Sequence, residues 1–194
     1  MKTSAIMILI ACLGSGSVVA NEFTGNLSGS LGNKSLDNND WDNVDSQGSL
    51  GFISDFKMKN WPVSVAVDGF LSIGDDTRDN EDNIEDLKDV DASTADLHLG
   101  VRKIWIIPGS KFSPYLGGGL ALIRGSQERE VNGVKEDESD SAMGNWLGAG
   151  IYWRPTGKLN IGVDVRYSKA NISLFERDIA AGGLQTGIFV GYHW

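Results

Sequence analysis

The sequence predicts an all-β fold, an eight-stranded antiparallel up-and-down transmembrane β-barrel behind an export signal. Three observations predict it. Apolar and polar residues alternate along eight segments, which is the side-chain period of a β-strand. The connections between these segments are alternately short and long. The 194 residues include 25 glycines and only 4 prolines, a composition that suits a chain with many turns.

The first twenty residues have the pattern of a secretory signal peptide. Lys2 supplies the positive start, residues 5–13 form the apolar segment, and residues 17–20 are small residues suited to cleavage before Asn21. A transmembrane anchor is disfavoured because the apolar run is well short of the roughly 20 residues that span a bilayer. Cys12 follows a segment loosely like a lipoprotein signal, but it lies so early that we interpret it as part of the apolar segment. We therefore expect residues 1–20 to be cleaved and residues 21–194 to form the barrel domain.

Composition excludes several classes of function. The net charge of −9 argues against nucleic acid as a partner, because a protein that binds phosphates needs a basic face. Cys12 is the only cysteine, so the domain after cleavage has neither disulfides nor thiol chemistry. Its length suits one domain.

Eight segments carry the strand pattern. The clearest is 159–167, where apolar residues from Leu159 to Tyr167 share one parity and Asp164 and Arg166 share the other. In 63–73 the pattern has one exception, Phe70. The faces of the fifth and sixth segments cannot be assigned. In chain order the predicted strands are about 23–33, 48–58, 63–73, 95–102, 113–124, 142–154, 159–167 and 184–194.

The connections predict the topology. Short turns with Pro or Gly fall at residues 60–62, 107–111 and 155–157. Long polar stretches fall at about 37–47, 74–93, 126–141 and 169–181. Short turns on one side, long loops on the other and an even strand number are typical of a bacterial outer-membrane barrel with both termini on the short-turn side.

Alternation alone fits two barrels, a membrane barrel with apolar residues outside and a soluble lipocalin-like barrel with apolar residues inside. Three features favour the membrane: the length of the segments, the positions of the aromatic residues and the C-terminal strand. The segments run about 10 to 12 residues, which matches a tilted span of the hydrocarbon. Aromatic residues near strand ends resemble interfacial girdles; they are Phe23, Phe56, Trp61, Trp105, Tyr115, Trp153, Tyr167, Tyr192 and Trp194.

The end of the chain carries a family resemblance. Residues 186–194, with Tyr192 and the terminal Trp194, resemble the C-terminal strand recognised by the outer-membrane assembly machinery. Residues 113–119 resemble a recurrent Pro-Tyr-x-Gly strand, and residues 165–168 resemble a penultimate Arg-Tyr strand. The chain after the signal thus resembles the small outer-membrane barrels of the OmpA, OmpX/Ail and OmpW type, barrel domain only. The resemblance implies periplasmic termini, with outer-membrane lipids, lipopolysaccharide and the barrel assembly machinery as partners.

With apolar residues outward, the polar face lines the lumen. An eight-stranded barrel is just wide enough for side chains to fill, and buried charges persist when they are paired. We therefore expect a structural charge network with His98 as a partner of Asp96, and as the alternative a path for protons, ions or small solutes. After cleavage the domain has two histidines and no cysteine, which gives no zinc-ligand spacing, so we expect no metal or cofactor. The predicted lumen residues are Asp55, Lys57, Asp68, Asp96, His98, Arg102, Asn160, Asp164, Arg166 and Gln185.

Acidic residues concentrate in the long connections. Residues 37–47, 74–93 and 126–141 carry 19 acidic and 4 basic side chains. We interpret them as solvated, acidic extracellular loops. The alternative is a site for calcium or magnesium that bridges to lipopolysaccharide phosphates, although residues 37–42 lack the glycine and the distal glutamate of an EF-hand loop.

Residues 166–171 faintly resemble the His-x-Ser-Asn segment of lipid A deacylases. Arg166 stands in the place of the catalytic histidine, and arginine cannot act as the general base for a serine. We therefore expect no enzyme, but a monomeric barrel with a structural or surface-interaction role. The alternatives are a narrow solute or ion channel and, less favoured, a lipid A-modifying enzyme.

Overall fold

The computed structural model describes residues 23–36, 45–76, 90–131, 134–174 and 177–194. The predicted signal peptide, residues 1–20, lies outside these ranges, as do most of the predicted loops 37–47 and 74–93. The strands in the described ranges are β1 Phe23–Ser35, β2 Ser46–Met58, β3 Ser64–Asp76, β4 Val90–Ile104, β5 Phe112–Val131, β6 Val134–Trp153, β7 Leu159–Lys169, β8 Asn171–Leu174, β9 Arg177–Ala180 and β10 Gly183–His193.

Eight of these strands close into one antiparallel barrel, which confirms the predicted fold class. Their order around the barrel is β1-β10-β7-β6-β5-β4-β3-β2. The first and last strands close it, with pairs from Ser35 opposite Leu184 to Asn26 opposite His193. Beyond this ladder, Gly25 and Trp194 exchange two backbone hydrogen bonds of 3.1 Å. The Trp194 ring lies where a side chain on residue 25 would stand, so glycine is needed there.

Three short turns lie at one end of the barrel, together with Phe23 and Trp194, and we call this the short-turn end. The turn between β4 and β5 shows why its sequence suits a reversal. Ser110 donates its backbone N–H to the Ile107 carbonyl at 3.0 Å, Pro108 occupies the second position, and Gly109 has a φ of 76° at the third. Such a turn requires positive φ after the proline, which glycine adopts without strain. The opposite end, where the long connections lie, is the long-loop end.

Two predicted loops contain more strand than expected. In residues 126–141, β5 continues to Val131 and β6 begins at Val134, so the strands are 20 residues each. Beyond the membrane neither face of a strand has to be apolar, and the alternation that marks a strand is lost there. In residues 169–181, β8 and β9 pair as a small separate hairpin. Its two strands have only four residues each, too few to show a clear period.

The barrel wall is apolar outside and polar inside, which excludes the lipocalin-like alternative. Leu31, Ile73 and Ile188 have exposed fractions of 61%, 68% and 64% on the outer surface, whereas Asp68 and Arg102 are fully buried inside. A protein in water would bury the first set and expose the second. The arrangement is inverted because the outer surface faces lipid. In the described part of the chain no α-helix is long and apolar enough to cross a bilayer.

The predicted aromatic girdle is largely at one end. Eight of the nine residues are exposed, and of these only Tyr167 lies toward the long-loop end. The assignment of Tyr115 to the girdle is wrong, because its side chain is buried inside the barrel. Phe70, the exception in the third strand, also points inward. Its ring lies 4.4 Å from the Arg166 guanidinium carbon.

Candidate functional site

The barrel interior brings together charged residues from several strands. We use the name central charge cluster for Asp55, Asp68, Arg102, Asp164 and Arg166, which come from strands β2, β3, β4 and β7. All five are buried. Each lies at the inward parity of its strand, so the alternation of the sequence places them on one surface.

Arg102 of β4 is joined to β2 and β3 by charge-assisted hydrogen bonds. Its Nη1 donates to Asp55 Oδ2 at 3.1 Å, and its Nη2 donates to Asp68 Oδ2 at 2.6 Å. Asp55 also accepts from the Tyr152 hydroxyl at 2.9 Å and from Asn26 Nδ2 at 2.8 Å. Such bonds to ionised groups are the strong ones, and here they connect opposite walls of the barrel.

Arg166 forms the other half of the cluster. Its Nη1 lies 3.0 Å from the same Asp68 Oδ2, and its Nε lies 2.6 Å from Asp164 Oδ1. Asp164 accepts a short hydrogen bond from the Tyr115 hydroxyl. The guanidinium also lies over the Trp146 ring at 5.4 Å. Arg102 lies in the same way over the Tyr115 ring, 4.9 Å from its centre. Each cation is therefore bonded to carboxylates and placed against an aromatic face, an arrangement that offsets the cost of burial.

A polar layer lies between this cluster and the short-turn end. Asn160 Nδ2 donates to Asn26 Oδ1 at 2.8 Å, and Arg154 donates to the same oxygen at 3.2 Å and to Asn160 Oδ1 at 3.0 Å. His193 Nδ1 lies 3.0 Å from Asn26 Oδ1. Arg154 is half-buried at the edge of this layer, so hydrogen-bonded side chains occupy the interior near the short-turn end.

Toward the long-loop end, the partner of Asp96 is Lys34. The Lys34 ammonium is fully buried and lies 2.8 Å from Asp96 Oδ2 and 3.0 Å from Thr94 Oγ1. His98 was expected to partner Asp96. Instead its Nδ1 accepts from Arg166 at 3.2 Å, and its ring stacks on Trp146 with 5.5 Å between centres.

The hairpin β8–β9 covers the long-loop mouth of the barrel. Ile172 and Ile179 are buried in one apolar cluster with Ile123 of β5, Trp146 of β6 and Leu36, which follows β1. Asp140 of β6 holds the hairpin, because its Oδ2 accepts the Ser173 backbone N–H at 2.9 Å. This bond and one from the Ser141 backbone hold the pKa of Asp140 below its usual range.

Not every residue expected in the lumen joins the network. Lys57 lies closer to the short-turn end than Asp55 and is only half-buried, and none of the ion pairs among the described residues includes it. Asn160 and Gln185 are buried inside as polar partners, the latter donating to Ser49 Oγ at 2.7 Å. No group of three or more His, Cys, Asp or Glu among the described residues is arranged to hold a metal ion.

Four interior residues escaped sequence reasoning for identifiable reasons. Lys34 has the inward parity of β1, but the first strand was predicted to end at residue 33, two residues before its end at Ser35. Arg154 is the last residue of the sixth predicted strand, whose faces were not assigned, and the structure ends β6 at Trp153. Tyr115 and Tyr152 carry hydroxyl groups on large apolar rings, and the fifth and sixth strands had no assigned faces.

The short-turn end carries the predicted assembly signal. The side chains of Tyr192 and Trp194 are exposed on the outer surface. The Lys158 ammonium lies 5.9 Å from the centre of the Tyr192 ring. Cationic and aromatic side chains are thus placed side by side at the rim of the apolar wall.

A closed antiparallel barrel with an apolar outer wall and a hydrogen-bonded, charged interior defines a transmembrane β-barrel. The chain belongs to the outer membrane protein β-barrel domain family, whose model matches residues 5–194. This family places the protein in the bacterial outer membrane. No curated protein matches the sequence significantly.

Solved outer-membrane proteins share the fold. Neisserial surface protein A is 14% identical with a TM-score of 0.53, and the match covers 88% of this chain and 94% of that one. Ail, the attachment invasion locus protein of Yersinia pestis, is 16% identical with a TM-score of 0.54 in its complex with the heparin analogue sucrose octasulfate, covering 89% and 99%. A major outer membrane protein of Thermus thermophilus is 10% identical with a TM-score of 0.55, covering 89% and 99%. At such identities the likeness establishes the fold alone.

Proposed function

We propose that this protein is a monomeric, non-enzymatic outer-membrane barrel with a closed, charge-filled lumen, which acts as a structural or surface-interaction element. The observation that carries the proposal is the filling of the interior. Arg102 and Arg166 are bonded to carboxylates of other strands, aromatic rings lie against them, and the β8–β9 hairpin covers one mouth. A path for ions would need water where these groups lie.

Conductance across a planar bilayer tests the closed lumen. The purified protein, first shown to be folded by its heat-modifiable mobility on a gel, is expected to give no steady openings. Steady, ion-selective openings from folded protein would refute the closed lumen and establish the channel alternative.

We further propose that residues 1–20 are a cleaved signal peptide and that the short-turn end faces the periplasm. The short turns and the Tyr192 and Trp194 signal for the barrel assembly machinery support this orientation. The mature protein should begin at Asn21 and fractionate with the outer membrane. Protease added to whole cells should cut within residues 77–89 and spare residues 59–63. The reverse cutting pattern would refute the orientation.

The proposal of a non-enzymatic role is supported by the environment of Ser168. This serine is buried inside the barrel, and Arg166, at the place of a deacylase histidine, is held by Asp68 and Asp164. A guanidinium so placed cannot take a proton from a serine. Purified protein should neither deacylate lipid A nor transfer palmitate to it, and measurable turnover would overturn the proposal.

We propose that any surface interaction runs through the acidic long-loop end. Ail was crystallised with a sulfated heparin analogue, but the 19 acidic side chains of the three long connections would repel such a polyanion. Divalent cations that bridge these carboxylates to lipopolysaccharide phosphates fit the charge better. In lipopolysaccharide-containing bilayers, calcium should raise the melting temperature and EDTA should reverse the change. An unchanged melting temperature would refute the bridge.

A further inference from the structure

Lysine side chains surround the short-turn end of the barrel. We use the name basic collar for Lys59, Lys103, Lys111 and Lys158, all of which are exposed. They come from the β2–β3 turn, the end of β4, the β4–β5 turn and the β6–β7 turn, so they follow the rim around much of the barrel. Residues 23–25, 57–64, 103–113, 153–159 and 192–194, which form this end in the described chain, contain no Asp or Glu. The described part of this end therefore carries exposed lysines with no acidic side chain among them.

Each lysine of the collar lies within two residues of an exposed aromatic residue or, for Lys158, 5.9 Å from the centre of an aromatic ring. The neighbouring aromatic residues are Trp61, Trp105, Phe112 and Tyr192, with exposed fractions between 44% and 49%. Aromatic rings of this kind lie at the level of lipid headgroups, and long lysine side chains reach from the apolar wall to the same level. The position of the collar therefore favours lipid over a soluble partner.

The Lys103 ammonium shows how the collar is held. It donates to the Pro62 carbonyl of the neighbouring turn at 2.8 Å. An ammonium group has three hydrogens, so an exposed lysine with one such bond keeps donors for phosphate oxygens.

From this geometry we propose that the basic collar binds the phosphate headgroups of anionic phospholipids, of which phosphatidylglycerol is the test case. The collar enriches them in the lipid layer that surrounds the short-turn end. The inference goes beyond the proposed function and needs only a barrel that spans a bilayer, in either orientation. A basic side chain near an anionic surface favours an anionic lipid about fivefold, the equivalent of about 1 kcal/mol. Only part of the lipid around the barrel touches the collar. Averaged over all of this lipid, we expect phosphatidylglycerol to be preferred over phosphatidylcholine about twofold.

Electron spin resonance of spin-labelled lipids measures this selectivity directly. The full-length mature protein is reconstituted in phosphatidylcholine vesicles, and the association of labelled phosphatidylglycerol is compared with that of labelled phosphatidylcholine. The wild-type ratio should fall toward one as the ionic strength rises from about 0.01 M to about 1 M, since the screening length shortens from about 30 Å to about 3 Å. A ratio of one at low salt, or a ratio that salt does not change, would overturn the proposal.

Two variants locate the effect. The fourfold Lys→Gln variant of the collar (K59Q, K103Q, K111Q, K158Q) should bring the ratio close to one, whereas the fourfold Lys→Arg variant should keep it. Both are first checked for heat-modifiable mobility, and the salt series on the wild type needs no variant. An unchanged ratio in the Lys→Gln variant would refute the collar as the site. If the collar instead served an acidic protein, the wild type would bind polyglutamate and show no lipid selectivity, which also overturns the proposal.

Discussion

Replacement of Arg102 by methionine tests how much the central charge cluster stabilises the barrel. Arg102 is fully buried, and its guanidinium bonds Asp55 at 3.1 Å and Asp68 at 2.6 Å. Removal of one partner of a buried ion pair costs about 3–5 kcal/mol, because the remaining charge is left unpaired. Asp55 keeps its donors Asn26 and Tyr152, and Asp68 keeps Arg166. We therefore expect the lower value, about 3 kcal/mol, which is about a hundredfold in the unfolding equilibrium.

Urea unfolding in lipid vesicles, followed by tryptophan fluorescence, measures this loss. The matched control is Arg124→Met, because Arg124 is exposed and donates to Ser139 at 2.9 Å; it should cost less than about 0.5 kcal/mol. The double variant Asp55→Asn, Arg102→Met should regain much of the stability, since it removes one cation and one carboxylate together and leaves Asp68 paired with Arg166. Equal losses for Arg102→Met and Arg124→Met, or no recovery in the double variant, would refute the reasoning.

Two further substitutions test the packing and the hairpin. Gly150→Ala should destabilise the barrel by about 1–3 kcal/mol, because the added methyl would overlap with the Tyr115 hydroxyl. The control is Gly29→Ala, whose added methyl has nothing within 4 Å. In the same urea titration this control should leave the stability unchanged. The pKa of Asp140 is lower in the folded protein, so its contribution to the hairpin is present above about pH 4 and is lost as the pH falls through the lowered value. Hydrogen exchange at the Ser173 amide should therefore be faster in Asp140→Asn than in the wild type at pH about 6, and this difference should shrink as the pH falls through the lowered pKa of Asp140. Equal exchange at pH about 6 would contradict the role of Asp140, and equal stability of the two alanine variants would contradict the overlap at Gly150.

The sequence predicted the strands best where the two faces differ most in polarity. In β7, Val163 and Val165 face out while Asp164 and Arg166 face in, so parity alone identified the strand and both of its surfaces. In β5 and β6 the interior is lined by Tyr115, Trp146, Tyr152 and glycines. Apolar residues then occupy both faces, and the pattern loses the information that distinguishes inside from outside.

The partners of the interior charges were beyond sequence reasoning for a different reason. Lys34 and Asp96 lie on β1 and β4, which are not neighbours in the barrel, so their contact depends on how the strands are staggered around it. Parity determines whether a residue faces inward or outward, but not its position along the barrel axis. The same limit explains why His98 was assigned to Asp96, its neighbour along the strand, although it contacts Arg166 across the barrel.

The central charge cluster also determines how far along the barrel each strand is placed, that is, its register with the neighbouring strands. A shift of β3 by one residue would turn Asp68 toward the lipid, and the alternation of apolar residues already penalises that error. A shift by two residues keeps every side chain on its proper face, so alternation does not resist it. It would, however, move Asp68 by about 6.6–7 Å along the strand, away from Arg102 and Arg166, and would leave all three charges buried without these partners. The cluster therefore selects among registers that the apolar pattern treats as equivalent, whatever it contributes to the total stability.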